Sequence, residues 1–333
     1  MSDKSQTMRA VQLSEWGRAD TLKLVDVPRP ELVATEVLVK VKAVGLNPID
    51  PVTIDGGGYM NFLTLPYIPG WDFAGVVEEV GYGTTRFKVG DEVYGMPWFP
   101  RPGNACAEYL TAPSRHIALK AKNITFEEAA GLPLAGLTAY QMIVDGARVK
   151  KGDKVLINGA AGGAGHLAVQ IAKALGAHVT ASASTSKLSF LKELGADRVV
   201  DYTKVNVEDE VSGMDSVIEL VGQKTCIQML KTLRKGGVLV SAHHYLVPGL
   251  AEEAAKLGVR DSWYLVEPDY TALEQMTALI ESGKMKIKVS EVFAFEDAPK
   301  ALYEMAQRHS TGVIITSKKE DDRHSTGKMV LKL

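Results

Sequence analysis

From Met8 to about Ala121 the chain alternates short β-branched and apolar runs with Gly, Pro and Asp. Arg9 to Leu13, Glu36 to Val44, Ala74 to Val80, Glu92 to Gly95 and Ala107 to Thr111 have strand length and strand composition. The tight turns at Gly81 to Gly83 and at Val89-Gly90-Asp91 separate such runs, which predicts a compact, highly turned β barrel that needs no helix.

From about Thr125 the period changes. Phe126 to Leu132 and Leu137 to Val144 read as helical, and then strands and helices alternate. Strands are expected at Lys154 to Asn158, His178 to Ser182, Arg198 to Asp201, Asp215 to Leu220 and Val238 to Ser241. Helices are expected at His166 to Leu175, Lys187 to Leu194 and Lys224 to Leu233, the last stopped by Lys235-Gly236-Gly237. Repeated βα units of this kind predict an α/β fold with a doubly wound parallel sheet. Beyond Pro268 come a helix from Tyr270 to Ser282, a strand from Lys288 to Phe293, a helix from Glu296 to Arg308 and a strand from Lys328 to Leu333. The pentapeptide at 308–312 (Arg-His-Ser-Thr-Gly) recurs at 323–327, flanking Val313-Ile314-Ile315 and the charged patch Lys318 to Asp322. It reads as a short tandem insertion without chemistry of its own.

Composition narrows the function classes. With 333 residues, 46% of them hydrophobic, the chain can bury about two domain cores. Lys+Arg 38 against Asp+Glu 40 leaves a formal net charge of -2, which offers nucleic acid no global basic field. The two cysteines, Cys106 and Cys226, are too few for a disulfide framework and suit a reducing cytoplasm. Neither a signal peptide nor a long uncharged apolar span is legible, so a soluble cytoplasmic protein is expected.

The strongest chemical signal is Asn158-Gly159-Ala160-Ala161-Gly162-Gly163-Ala164-Gly165, between an expected strand and an expected helix. Glycines there let a backbone approach a pyrophosphate while the helix N-terminus supplies N–H donors. The end of the next strand, Thr180-Ala181-Ser182-Ala183-Ser184, lacks the carboxylate that would hold a ribose diol. Ser184, Thr185 and Lys187 instead offer donors and a cation to a 2′-phosphate, so the expected cofactor is NADPH. A solvated first-turn lysine is the plainer reading of Lys187.

Several segments together resemble the medium-chain dehydrogenase/reductase superfamily, most closely its zinc-independent NADPH:quinone oxidoreductase branch. They are Gly45-Leu46-Asn47-Pro48-Ile49-Asp50, Pro69-Gly70-Trp71-Asp72-Phe73-Ala74-Gly75, Val89-Gly90-Asp91-Glu92-Val93, Ala135-Gly136-Leu137-Thr138-Ala139, the Gly-rich turn and Leu194-Gly195-Ala196-Asp197. The resemblance implies a GroES-like β domain (residues 1–125 and 267–333) packed on a Rossmann nucleotide-binding domain (126–266), with the site between them and the tail returning to the β domain. It also implies a homodimer. Where zinc-dependent relatives place a cysteine and a His-Glu pair, this chain has Asn47 and Trp71-Asp72, so no metal is expected. None of the seven histidines, His243 and His244 included, has a helical His partner or a nearby cysteine.

The resemblance carries nucleotide contacts to Thr138, Gly162, Gly163, Ala164, Ser184, Lys187 and Tyr202, and places Leu220 and Ala242 beside the nicotinamide. Ala164 departs from the more usual valine, and the duplicated tail obscures the register of Gly327-Lys328, a pair the family keeps near the cofactor. On the substrate loop, Asn47 is expected to orient the nicotinamide or donate to a substrate oxygen, or else to stabilise its turn as an Asx residue. Tyr59, after Gly56-Gly57-Gly58, would donate its phenolic proton or simply rest on the loop, and Asp50 would brace the turn. Trp98, Phe99 and Tyr245 would wall an apolar pocket. Quinones and α,β-unsaturated carbonyls are already polarised, so donors to a developing oxyanion suffice without a Lewis acid. Reduction of simple aldehydes or ketones, and a non-catalytic NADPH-binding or sensor role, are the alternatives.

Overall fold

The computed structural model describes residues 6–222, 224–242, 247–309 and 326–333. His243, His244 and Tyr245, the Val313-Ile314-Ile315 run, the Lys318 to Asp322 patch and most of both pentapeptides lie outside them.

The N-terminal part is β-rich, as its punctuation predicts. β1 (Thr7–Gln12) and β2 (Lys23–Pro28) form an antiparallel pair, followed by β3 (Glu36–Leu46), β4 (Asp72–Val80), β5 (Glu92–Gly95), β6 (Tyr109–Pro113) and β7 (Ile117–Leu119). One expectation fails here: a helix, α1 (Ile49–Ile54), does interrupt the strands, directly after Asn47-Pro48. Its six residues are too few to show a helical period, and Asp50, in its first turn, accepts from the Asn47 backbone N–H at 2.7 Å. α2 (Phe126–Ala130) begins with a reciprocal cap between Thr125 and Glu128 and lies on the end of β3. The contact is so close that a Cβ on Gly45 would stand 2.1 Å from the Ala130 carbonyl oxygen. α3 (Pro133–Gln141) follows.

A six-stranded parallel sheet is then built from β8 (Lys154–Asn158), β9 (His178–Ala183), β10 (Arg198–Asp201), β11 (Met214–Glu219), β12 (Leu233–Ser241) and β13 (Arg260–Trp263), in the order β10-β9-β8-β11-β12-β13. The intervening helices are α4 (Gly165–Ala174), α5 (Leu188–Glu193), α6 (Val207–Glu210), α7 (Lys224–Leu230) and α8 (Leu250–Leu257). The helix expected to reach Leu233 ends at Leu230, and Lys235-Gly236-Gly237 falls inside β12 rather than stopping a helix. Thr232 is captured by the sheet, its carbonyl accepting from Met214 N–H at 3.0 Å. The register then jumps from Met214 opposite Leu233 to Ser216 opposite Val238, and Gly236 takes up the slack at φ 75°.

After α9 (Tyr270–Glu281), β14 (Val289–Ala294), α10 (Ala298–His309) and β15 (Lys328–Lys332), the chain has returned to the first sheet, whose order is β14-β15-β3-β4-β5-β7. β3 serves two neighbours on one edge: Glu36 to Lys40 pair with β6, and Ala43 to Leu46 pair with β15. This pairing carries the tail back as the resemblance implies, and one continuous apolar core runs from Val11 through Val155 to Phe295.

Candidate active site

The strand order of the parallel sheet reverses between β8 and β11, and a ligand crevice is expected at the carboxyl ends of strands at such a switch point. The Gly-rich turn leaves β8 there. Gly159 sits at φ 78°, and a Cβ on Gly165 would stand 2.2 Å from the Gly159 carbonyl oxygen, so the turn closes only on glycine. A Cβ on Gly162 would meet only the Gly159 oxygen, at 3.4 Å, leaving the backbone bare where α4 begins and its first N–H groups lack intrahelical acceptors. This cradle fits a pyrophosphate. His166 fastens it from below: Nε2 accepts from the Lys288 N–H at 3.1 Å, which puts the ring proton on Nδ1, 3.0 Å from the Gly162 carbonyl. Burial pushes the His166 pKa down to about 4, so the ring is neutral in this role.

Ser184, Lys187 and Tyr202 gather at the ends of β9 and β10, through Lys187 N–H to the Ser184 carbonyl at 3.0 Å and Tyr202 N–H to the Ala183 carbonyl at 3.2 Å. The structure also brings a carboxylate near them that adjacent-strand reading overlooks. Asp201, at the end of β10, accepts from the Thr185 and Thr203 hydroxyls, and Lys204 stands 3.7 Å from it. Its charge is absorbed by those donors, which hold its carboxyl below the usual range against a desolvation that opposes them. Thr185 is thereby engaged in the protein, while Ser184, Lys187 and Tyr202 stand together at the ends of the two strands.

Leu220 and Ala242 follow β11 and β12 directly, so both stand on the rim of the same crevice. Thr138 is half-buried on α3, its hydroxyl donating to the Leu134 carbonyl at 2.7 Å in its own helix. A residue outside the candidate set organises the rim: Glu219 is fully buried, and its carboxylate collects the N–H groups of Val221 and Gly222 and the Asn158 amide. A Cβ on Gly159 would touch Val221 at 3.1 Å, so Glu219 pins its loop against the Gly-rich turn.

Against the Gly-rich turn, reached through the Lys328 stem, lies a polar cluster sealed from solvent. Asn47, 1% exposed, donates from Nδ2 to Asp72 Oδ2 at 2.9 Å, and its Oδ1 accepts from Lys328 Nζ. Lys328 is 3% exposed, and its Nζ lies 3.9 Å from Asp72 Oδ2. The other Asp72 oxygen accepts from the Leu134 N–H at 2.9 Å, in the first turn of α3, where the helix dipole favours an anion. Burial raises Asp72 to about 6 and Asp50 to about 7, while it lowers Lys328; the attraction of Lys328 for the two carboxylates opposes each shift. Asp50 Oδ1 and the Tyr67 hydroxyl, both buried, lack hydrogen-bond partners among the described residues. Asp50 braces the turn through Oδ2, in the role expected of it.

Tyr59 is half-buried, with its ring edge-on to Phe99 at 5.0 Å. Phe99 in turn meets Trp71 at 5.3 Å, and Trp71 meets Tyr67 at 6.5 Å, so an aromatic wall runs from the Gly56 to Gly58 loop to the buried cluster. Trp98 is tied to His116, backbone N–H to Nδ1 at 3.1 Å. Among the described residues, no group of three or more His, Cys, Asp or Glu is arranged to hold a metal ion. The polar cluster offers one amide, one carboxylate already paired with an ammonium and one turned onto the Asn47 N–H, a donor set that does not suit catalytic zinc.

Asn47 thus meets Asp72 and Lys328, neither of which was in the candidate set. The Lys328 signal is an ionisable residue heading the apolar run Met329-Val330-Leu331; the Glu219 signal is a carboxylate closing Val217-Ile218. Glu219 looks like a strand end until its tertiary neighbours are known, whereas the resemblance already kept Gly327-Lys328 near the cofactor with its register obscured.

Comparison with known proteins follows the same lines. Residues 33–151 match the family model described as alcohol dehydrogenase GroES-like domain, and residues 194–315 that described as zinc-binding dehydrogenase. The chain is similar to the chloroplastic NADPH-dependent alkenal/one oxidoreductase of Arabidopsis thaliana, 35% identical, with 92% of this chain and 79% of the relative covered. It is equally similar to the 2-methylene-furan-3-one reductase of Solanum lycopersicum, 35% identical, with 92% and 78% covered. Among solved structures it resembles the quinone oxidoreductase from Coxiella burnetii at TM-score 0.86 and 35% identity, over 98% of this chain and 99% of the other.

Proposed function

The chain belongs to the medium-chain dehydrogenase/reductase family, in its quinone oxidoreductase branch, and on that premise we propose that it reduces quinones or α,β-unsaturated carbonyl compounds with NADPH, without a metal. The bound dinucleotide supplies a hydride to the substrate. The protein holds its pyrophosphate at Gly162, Gly163 and Ala164, its 2′-phosphate at Ser184, Lys187 and Tyr202, and its nicotinamide between Leu220 and Ala242, with Thr138 on the α3 side.

The observation that carries this reading is the buried amide of Asn47 under the crevice, in the position where a metal-dependent relative has a thiolate. An amide cannot act as a Lewis acid, but its N–H can donate to an oxygen on which negative charge develops. Tyr59, at the other end of the aromatic wall, is the second donor. Substrates whose conjugation already spreads the charge need no more than this, whereas a simple ketone would.

Three further elements belong to the proposal. The division into residues 1–125 with 267–333 and residues 126–266 places the site at the join of the two sheets. The exposed edge strand β13 is the face on which a second copy would form the homodimer. No helix among the described residues is long and apolar enough to cross a membrane, and we place the protein in the cytoplasm. The test is steady-state oxidation of NADPH against a panel of quinones, enones and simple aldehydes. Turnover confined to the first two classes is expected. Turnover of simple aldehydes at comparable rates, or tight NADPH binding without any turnover, overturns the reading.

A further inference from the structure

Asn47 has an amide whose two ends are chemically opposite, and the protein answers each end with a charge of its own. Oδ1 faces the Lys328 ammonium and Nδ2 faces the Asp72 carboxylate. Rotating the amide by half a turn would put an acceptor against a carboxylate and a donor against an ammonium, so both contacts would become repulsive at once. In a site sealed from water such repulsion is weakly screened. One orientation is therefore enforced. In that orientation the second Nδ2–H has no acceptor among the described residues.

Lys328 reaches this position by an indirect route. It heads β15, which pairs with the end of β3 that carries Leu46, next to Asn47. Its N–H donates to the Lys288 carbonyl at 2.8 Å, and Gly327 donates to the Ala161 carbonyl in the Gly-rich turn at 3.4 Å. Its stem runs under that turn: a Cβ on Gly163 would lie 3.1 Å from Lys328 Cδ. One side chain thus touches the phosphate cradle along its stem and the Asn47 amide with its tip.

We propose that Lys328 is a positioning residue of the reduction site: with Asp72 it forms a charged clamp that holds the Asn47 amide so that its second N–H is delivered to the bound nicotinamide or to the substrate oxygen. The inference rests on the reading of the crevice as a reductase site.

The clamp is tested with Lys328→Met, Lys328→Arg and the double variant Lys328→Met/Asp72→Asn. Removing Lys328 alone leaves a buried carboxylate uncompensated, so that variant is expected to lose thermal stability as well as rate. The double variant removes both charges together and is expected to regain the parental melting temperature. Its kcat with a p-quinone should nevertheless stay at least about tenfold below the parent, since a misplaced donor costs one to two orders of magnitude. KM for the quinone and Kd for NADPH should stay within about threefold, and Lys328→Arg should recover part of kcat. If the double variant recovers kcat to within about twofold of the parent, Lys328 only neutralises Asp72 and the clamp is wrong.

A second readout separates this from failure of the reductase reading. The Asn47 side-chain N–H resonances, identified by their loss in Asn47→Ala, should show the proton bonded to Asp72 exchanging more slowly than the other in the ligand-free parent, and no such difference in the double variant. A parent that turns over no quinone or enone but shows this pattern keeps the clamp and loses the reductase. Equal exchange of both protons in the parent overturns the clamp itself.

Discussion

Glu219 accepts a hydrogen bond from Asn158, Oε2 to Nδ2 at 2.8 Å, and so joins the two strand ends that border the switch point. Asn158 Oδ1 in turn accepts a hydrogen bond from Ser182 Oγ at 2.5 Å, extending the chain of bonds to the end of β9. Three strand ends under the crevice are thus held by one buried network whose charge sits on Glu219. Glu219→Ala should leave the Val221 and Gly222 N–H groups without an acceptor, costing about 2 to 3 kcal/mol in a urea melt and weakening NADPH binding. Glu219→Gln should cost less, because the Asn158 amide can turn over and Ser182 can accept instead of donating. Equal losses for the two variants would show that this network is not what holds the loop.

Lys187 is the test of the 2′-phosphate assignment. NADPH should bind at least about tenfold tighter than NADH, the worth of one or two charge-assisted hydrogen bonds. Lys187→Glu should weaken NADPH far more than NADH, since it adds a second carboxylate to a site that already contains Asp201. Equal weakening of both in a fluorescence titration removes Lys187 from the cofactor site.

Tyr59→Phe keeps the edge-on contact with Phe99 and deletes only the hydroxyl. If that hydroxyl donates to the developing oxyanion, kcat for quinones or enones should fall by about one to two orders of magnitude at unchanged NADPH affinity. A change within about twofold for every active substrate assigns Tyr59 to the aromatic wall alone, leaving Asn47 as the donor.

Asp50 sets a pH dependence of stability. Burial raises its pKa to about 7 from an ordinary 3.8, so folding favours its protonated form. That contribution is complete below the unfolded value and is lost as the pH rises through about 7. His166, lowered to about 4, works in the opposite sense, losing stability as the pH falls below its ordinary 6.5. A comparison of the parent with Asp50→Asn cancels the histidine. Between pH 5 and 8 the parent should lose on the order of 2 kcal/mol more than the variant in urea melts. Parallel pH profiles would place the Asp50 carboxyl in its ordinary range.

Metal dependence gives the remaining check. Activity should survive prolonged chelation, and elemental analysis should find no stoichiometric zinc, since Asn47 and Trp71-Asp72 replace the thiolate and imidazole donors. One zinc per chain whose removal abolishes turnover would require a different mechanism.

The alternation of strands and helices from Lys154 to Ser241 was legible because period and punctuation are local properties, written into each segment whatever its neighbours. The Gly-rich turn was legible for the same reason, since a close backbone approach selects glycine at the spot where it occurs. What stayed hidden depended on strand order and pairing. α1 forms where Asp50 reaches back to the Asn47 N–H in a helix of six residues, and the β12 bulge where Met214 captures Thr232, the residue before β12. Asp201 escaped notice because it reaches the β9 end only through the pairing of β10 with β9. The buried charges are the extreme case. Lys328 and Asn47 are 281 positions apart, and although the resemblance kept Gly327-Lys328 near the cofactor, nothing in the sequence tied the ammonium to the amide. Only the insertion of β15 beside β3 brings the ammonium to the amide and to Asp72, and only the loss of water there makes their charges strong enough to orient it.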